Sequence, residues 1–151
     1  MNAGLGVDTP FFESVSSRMN GFLYRCRADK DFTMLELTSG FERCCAIDAA
    51  DILQNTVRSF ASLIHPDDAE AVDEAVVVGL QQKTNWNINY RLQHAAGHYV
   101  WVHEDGGGVW DDQGAIVYLE GAVFDMNHLY ASLEAQFARM QADATKDSNA
   151  A

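Results

Sequence analysis

Apolar and polar residues alternate along 86–93. Trp86, Ile88, Tyr90 and Leu92 share one face; Asn85, Asn87, Asn89 and Arg91 share the other. A period of two predicts a strand. Two more strands are expected at 98–110 and 115–125. The turn His94 to Gly97 joins the first pair, and Asp111-Asp112-Gln113-Gly114 the second. Gly106-Gly107-Gly108 inside the middle strand suggests a bulge or a flexible strand end. Earlier in the chain, 22–27 and 33–38 read as a hairpin around Asp29-Lys30-Asp31, and Ser39-Gly40 ends its second strand.

Helical periods fill the remaining segments. Phe11, Val15 and Met19 recur at i, i+4, i+8 with Phe12 beside them, after the start signal Thr9-Pro10. A short helix over about 10–19 follows, ended by Asn20-Gly21. Residues 41–60 predict only short helical turns. Val72, Ala75, Val76 and Leu80 share a face of a helix from Asp67 to Gln82, with acids crowding its first half. Met126, Tyr130, Leu133, Phe137 and Met140 fall at 4-3-4-3 spacing, a two-heptad apolar seam. Strands, helices, then three strands make an α+β pattern with an antiparallel sheet.

Composition narrows the class. A chain of 151 residues with 48% hydrophobic content is one globular domain with a real core. The net charge of −12 argues against nucleic acid and anionic membrane surfaces, both of which need a basic face. No apolar run approaches the ~18 residues of a membrane span, and residues 1–10 lack a signal-peptide pattern. Three cysteines, two adjacent, make a poor disulfide framework and fit a cytoplasmic, reducing setting.

Several motifs, in order, carry a resemblance: Tyr24 to Met34, Leu63-Ile64-His65-Pro66-Asp67-Asp68, Tyr90-Arg91-Leu92, Gly97 to Val102, and Leu119 to Asn127. Over roughly 20–127 the chain resembles a PAS sensor domain with its PAC motif, as found beside histidine kinases and diguanylate cyclases. The resemblance implies a five-stranded antiparallel sheet with helices on one face. It divides the chain into an N-terminal cap helix (1–20), the PAS domain (21–125), a C-terminal signalling helix (126–141) and a disordered tail (142–151). The implied function is cytoplasmic sensing or signal relay, with a small ligand, a homodimer, or both, acting on a fused kinase or cyclase effector. A dimerisation scaffold without ligand is the alternative.

The resemblance also assigns residues. The cavity side of the sheet should hold Tyr24, Cys26, Ile88, Tyr90, Leu92, Val100, Val102, Leu119, Gly121 and Val123, and the missing side chain at Gly121 favours a space there. Glu104 falls on this side but is expected in water at the strand end. The outer face should present Leu23, Trp101, Tyr118 and Phe124, with Ile116 and Ala122. Phe11, Phe12, Val15 and Met19 of the first helix should cover that face or share a dimer interface with it. Asp125, Met126 and Asn127 occupy the strand-to-helix handover, where Asp125 is the expected coupling residue and Asn127 a cap.

Catalytic and cofactor chemistry finds no support in the sequence. In the flavin-binding branch of the family an adduct-forming cysteine sits in a Gly-Arg-Asn-Cys-Arg-Phe-Leu-Gln motif. The matching stretch here is Gln54 to Ala61, with Val57 in the cysteine's place. The cofactor therefore stays unassigned, with flavin adduct chemistry and haem ligation by His65 both disfavoured. His65 is read as structural: Pro66 sets the chain into a helix that Asp67 or Asp68 caps. The five histidines show no metal spacing, so no metal is expected. No Gly-x-Ser-x-Gly elbow or phosphate loop is present, and no enzyme is expected.

Overall fold

The computed structural model describes residues 3–149, with side chains from Pro10 onward. Strands β1 (Gly21–Cys26), β2 (Met34–Leu37), β3 (Trp86–Gln93), β4 (Tyr99–Trp110) and β5 (Ile116–Asp125) form one sheet in the order β2-β1-β5-β4-β3. Every pairing is antiparallel. The β1–β2 hairpin closes on Asp29, whose carboxylate accepts from both the backbone N–H and the hydroxyl of Thr33. These bonds outweigh the opposing effect of partial burial and hold the Asp29 carboxyl below its usual range.

Between β2 and β3 lie α2 (Gly40–Cys45), α3 (Ala49–Ile52), a single 3-10 turn at Ala61–Leu63 and α4 (Pro66–Gln82). They pack on one face of the sheet and bury Phe41, Cys45, Ile52, Phe60, Leu63 and Val72 against Phe22, Tyr90, Leu92 and Val102. This is the expected layer arrangement, because an alternating strand buries one face against an amphipathic helix. α4 opens on His65, not on Asp67 or Asp68. The His65 Nδ1 accepts the Asp67 N–H at 3.0 Å, and Asp68 reaches away to Arg91.

Two elements depart from the sequence pattern at the termini. Helix α1 covers Ala3–Ser16, so Pro10 lies inside it instead of opening it. Proline lacks the N–H for one internal bond, and the helix carries that single loss. Helix α5 runs from Met126 to Asn149, beyond the expected end at Gln141. The stretch read as a tail is rich in Ala and has no Gly or Pro to stop a helix. Residues 1–2 and 150–151 lie outside the described residues.

Two corrections concern the sheet. Gly106, Gly107 and Gly108 pair in unbroken register with Gly121, Glu120 and Leu119. The irregularity comes later, between Val109 and Trp110 opposite the extra residue Val117. That bulge shifts the alternation by one, so Ile116 turns to the helix side and packs against the core, not on the outer face.

Candidate functional site

The helix-covered face of the sheet converges on one polar group. Glu104, in the middle of β4, is only 5% exposed. Its Oε1 accepts from the Tyr90 hydroxyl at 2.6 Å. Its Oε2 accepts from the Trp86 indole N–H at 2.8 Å and the Tyr24 hydroxyl at 2.9 Å. Glu104 is therefore not at a solvated strand end. Strand alternation placed it on the inner face, and there Tyr24, Trp86 and Tyr90 close over it.

Glycines make this cluster possible. A Cβ on Gly106 would come within 2.5 Å of the Trp86 Nε1 and 2.8 Å of the Tyr24 hydroxyl. A Cβ on Gly121 would come within 2.4 Å of the Asp105 carbonyl oxygen and 3.1 Å of the Tyr24 ring. The space expected at Gly121 is therefore taken by Tyr24 and by the neighbouring backbone. The remaining internal cavity is about 10 Å³, at the lower limit for one water.

Of the predicted cavity residues, Tyr24, Cys26, Tyr90 and Leu119 line this remnant. Leu92, Val100, Val102 and Val123 are buried in the packed core of the same face. Ile88 and Gly121 are half-buried. Trp86 and Glu104 also line it and were not among the predicted set; the alternation of β3 and β4 already placed both on this face. Phe32, Met34, Phe60, Ile64, Val72 and Val76 complete the lining from the β1–β2 turn, β2 and the segments from the 3-10 turn to α4, where the sequence offered no register to align them with the sheet.

Burial, reinforced by the Glu104 carboxylate, pushes the phenols of Tyr24 and Tyr90 well above their usual range. The same two causes push the Cys26 thiol up. Cys44 and Cys45 are buried free thiols in the last turn of α2. Among the described residues no three His, Cys, Asp or Glu side chains converge on a metal position. The cluster gathers three hydrogen-bond donors on one buried carboxylate.

The outer face is not the bare apolar patch expected from alternation. Leu23, Tyr118 and Phe124 are half-buried and Trp101 is exposed. Arg25 lies over the Tyr118 ring at 4.8 Å and pairs with Glu120 at 2.8 Å. Arg91 lies over the Trp101 ring at 4.8 Å and pairs with Asp68 at 2.9 Å. Cation–π contacts thus screen both aromatics. Nor does α1 cover the face with its apolar stripe, for Phe11, Phe12 and Val15 stay exposed and Met19 half-buried. α1 docks through its polar edge instead: the Ser16 and Thr38 hydroxyls meet at 2.6 Å, and Glu13 accepts the Ser39 N–H.

At the end of β5 the chain enters α5 without a loop. The Asp125 Oδ1 accepts the backbone N–H of Asn127 at 2.9 Å and of His128 at 3.4 Å. Asp125 itself donates its N–H to the Asn20 carbonyl, 2.8 Å away. So Asp125 caps α5 and ties it to the start of β1, while Asn127 sits within the first turn and is not the cap. Beyond Met126, α5 buries no residue. Tyr130, Leu133, Phe137 and Met140 are all more than half exposed.

The PAS fold family matches residues 35–123. Among solved structures, the chain is similar to the N-terminal domain of a diguanylate cyclase with PAS/PAC sensor from Marinobacter aquaeolei. That match has 23% identity and a TM-score of 0.59, covering 73% of this chain and 98% of that one. A sensory box histidine kinase/response regulator from Burkholderia thailandensis is similar at 19% identity and TM-score 0.63, covering 88% and 98%. A PAS domain from Colwellia psychrerythraea is similar at 16% identity and TM-score 0.65, covering 80% and 95%. No curated protein matches the chain.

Proposed function

Because this chain belongs to the PAS fold family, we propose that it is a relay domain that works as a homodimer and drives a fused effector through α5. The observation that carries this reading is the unburied seam of α5, joined directly to β5 and capped by Asp125. An exposed apolar stripe at heptad spacing is unstable in water alone and calls for a partner helix. A second copy supplies the same stripe. The outer sheet face, with Leu23, Trp101, Tyr118 and Phe124, the exposed Phe11, Phe12 and Val15 of α1, and Met19 in the turn after it would form the rest of the interface. A change in the sheet would turn α5 through Asp125, Met126 and Asn127. Similarity to domains of a histidine kinase and a diguanylate cyclase supports an effector of that kind. The buried free thiols support a reducing, cytoplasmic setting.

Small-molecule sensing is the second reading. What favours it is the polar Glu104 cluster inside an otherwise apolar core. A ligand there must exchange hydrogen bonds with Tyr24, Trp86 or Tyr90 and widen a cavity of about 10 Å³.

Sedimentation velocity on the full chain and on L133E/F137E tests the relay reading. A dimer that the double substitution converts to a folded monomer supports it. A wild-type monomer at all concentrations rejects it. Native mass spectrometry of the same preparation separates the second reading, since a retained small molecule would show as added mass.

A further inference from the structure

Glu104 is a buried charge with no counter-charge. It accepts three hydrogen bonds and gives none, the pattern of an ionised carboxylate. Its partners are all neutral. Among the described residues no Arg, Lys or His pairs with it, and none lines the cavity beside it. Bonds from two phenols and an indole lessen the cost of burying that charge, and an opposite charge at contact would lessen it further.

Glu104 itself lines the cavity, together with five aromatic side chains: Tyr24, Phe32, Phe60, Trp86 and Tyr90. Aromatic rings are the apolar groups that attract ammonium cations, through the negative potential of their faces. Acceptor sites are also left over. A carboxylate offers about four lone-pair sites, and three donors reach this one. The Tyr24 and Tyr90 hydroxyls donate to Glu104, and no group among the described residues donates to their oxygens. A primary ammonium brings both missing parts, a positive charge and several N–H donors. At about 10 Å³ the cavity admits a water-sized group, which suits an ammonium head and is too small for a quaternary one. We infer that this cavity binds a small primary ammonium cation, an assignment that rests on the small-molecule reading. The head group pairs with Glu104 and donates to a tyrosine oxygen. Any alkyl end widens the cavity against Ile64, Val72 and Val76.

Methylammonium chloride at neutral pH is the probe. The readout is the Trp86 indole N–H in the isotopically labelled full chain, because that N–H bonds to the same carboxylate. A saturable shift is expected that sodium chloride at equal ionic strength does not produce. Methanol, the neutral isostere, should bind at least about tenfold more weakly, since hydrogen bonds between charged groups are the stronger kind. Tetramethylammonium has the charge but no N–H and a larger head, and should leave Trp86 unmoved. Ammonium chloride in a parallel arm distinguishes the inorganic ion from the amine, and saturation by either supports the assignment. Glu104→Gln keeps an acceptor oxygen and the shape of the side chain, removes the charge, and should lose the response. The comparisons on the natural chain hold even where that variant fails to fold. Equal shifts with methanol or tetramethylammonium, or a folded Glu104→Gln protein that still responds, would overturn the primary ammonium and leave small-molecule sensing standing. An unmoved Trp86 with every probe also overturns it, and sensing is then decided by the mass retained in native mass spectrometry.

Discussion

Tyr24 and Glu104 bond at 2.9 Å although a whole strand separates the strands that carry them. Tyr24 is on β1 and Glu104 on β4, with β5 between. The phenol crosses over Gly121, its partner in register on β5, where any side chain would block it. Trp86 and Tyr90 reach the same carboxylate from β3, on the other side. One buried group thus ties together three of the five strands by side chains alone.

Truncating that group tests the tie. Glu104→Leu removes the acceptor and leaves three buried donors without a partner, at a cost of about 2–4 kcal/mol. Urea denaturation of the purified chain should show a lower midpoint with an unchanged slope. Tyr24→Phe with Glu104→Leu should cost less than the sum of the two singles, since the phenol has no partner left to lose. Additive losses would mean that the bond contributes nothing.

The glycines of β4 and β5 make a second, steric prediction. Gly106→Ala places a methyl against the Trp86 indole and the Tyr24 hydroxyl. Both rings are held by Glu104, so neither can move without losing its bond. The expected destabilisation is about 1–3 kcal/mol, again read from urea denaturation. Gly97→Ala is the comparison for backbone strain alone: its φ of +101° disfavours a side chain, but nothing lies near the added atom.

Alkali reads the same cluster through its phenols. Burial, with the Glu104 carboxylate adding to it, raises the pKa of Tyr24 and Tyr90 in the folded state. A raised folded value gives a stabilising contribution that is whole below the unfolded phenol pKa of about 10. It is lost as pH rises from there through the folded value. Spectrophotometric titration should show these two tyrosines ionising late, with unfolding. In Glu104→Leu the burial cause remains and the charge cause goes, so the shift should shrink without vanishing.

Much of this arrangement was legible in the sequence, and its failures have physical reasons. The family resemblance put Tyr24 and Tyr90 on one face and alternation along β4 added Glu104, a period that holds because β3 and β4 pair without interruption through Tyr90 and Glu104. Alternation misplaced Ile116, because a bulge at Val109/Trp110 breaks the period after the turn. It left Glu104 in water, because a run of residues on one strand does not reveal that Trp86 and Tyr24 close over it from strands on either side. The identity of the α4 cap was hidden for a different reason. Asp67 and Asp68 are the better capping types, yet Asp68 is drawn off by Arg91, a partner far along the chain. The apolar seam of α5 was read correctly, but its length depended on a polar stretch with no helix breaker.

Asp68 carries the last prediction. The bonds from the Arg91 side chain, against a smaller opposing effect of burial, hold its carboxyl below the usual range. A lowered folded value gives a contribution present above the unfolded carboxylate pKa of about 3.9. It is lost as pH falls through the lower folded value. Asp68→Asn should therefore lower stability at neutral pH and flatten part of the acid limb of the stability curve. It also loosens Arg91, which lies over Trp101 on the outer face. If that face belongs to the dimer, Asp68→Asn should change dimer affinity as well as stability, measured by sedimentation at neutral pH. A variant that loses stability but dimerises as wild type would confine Asp68 to holding α4 against β3 and leave Trp101 outside the interface.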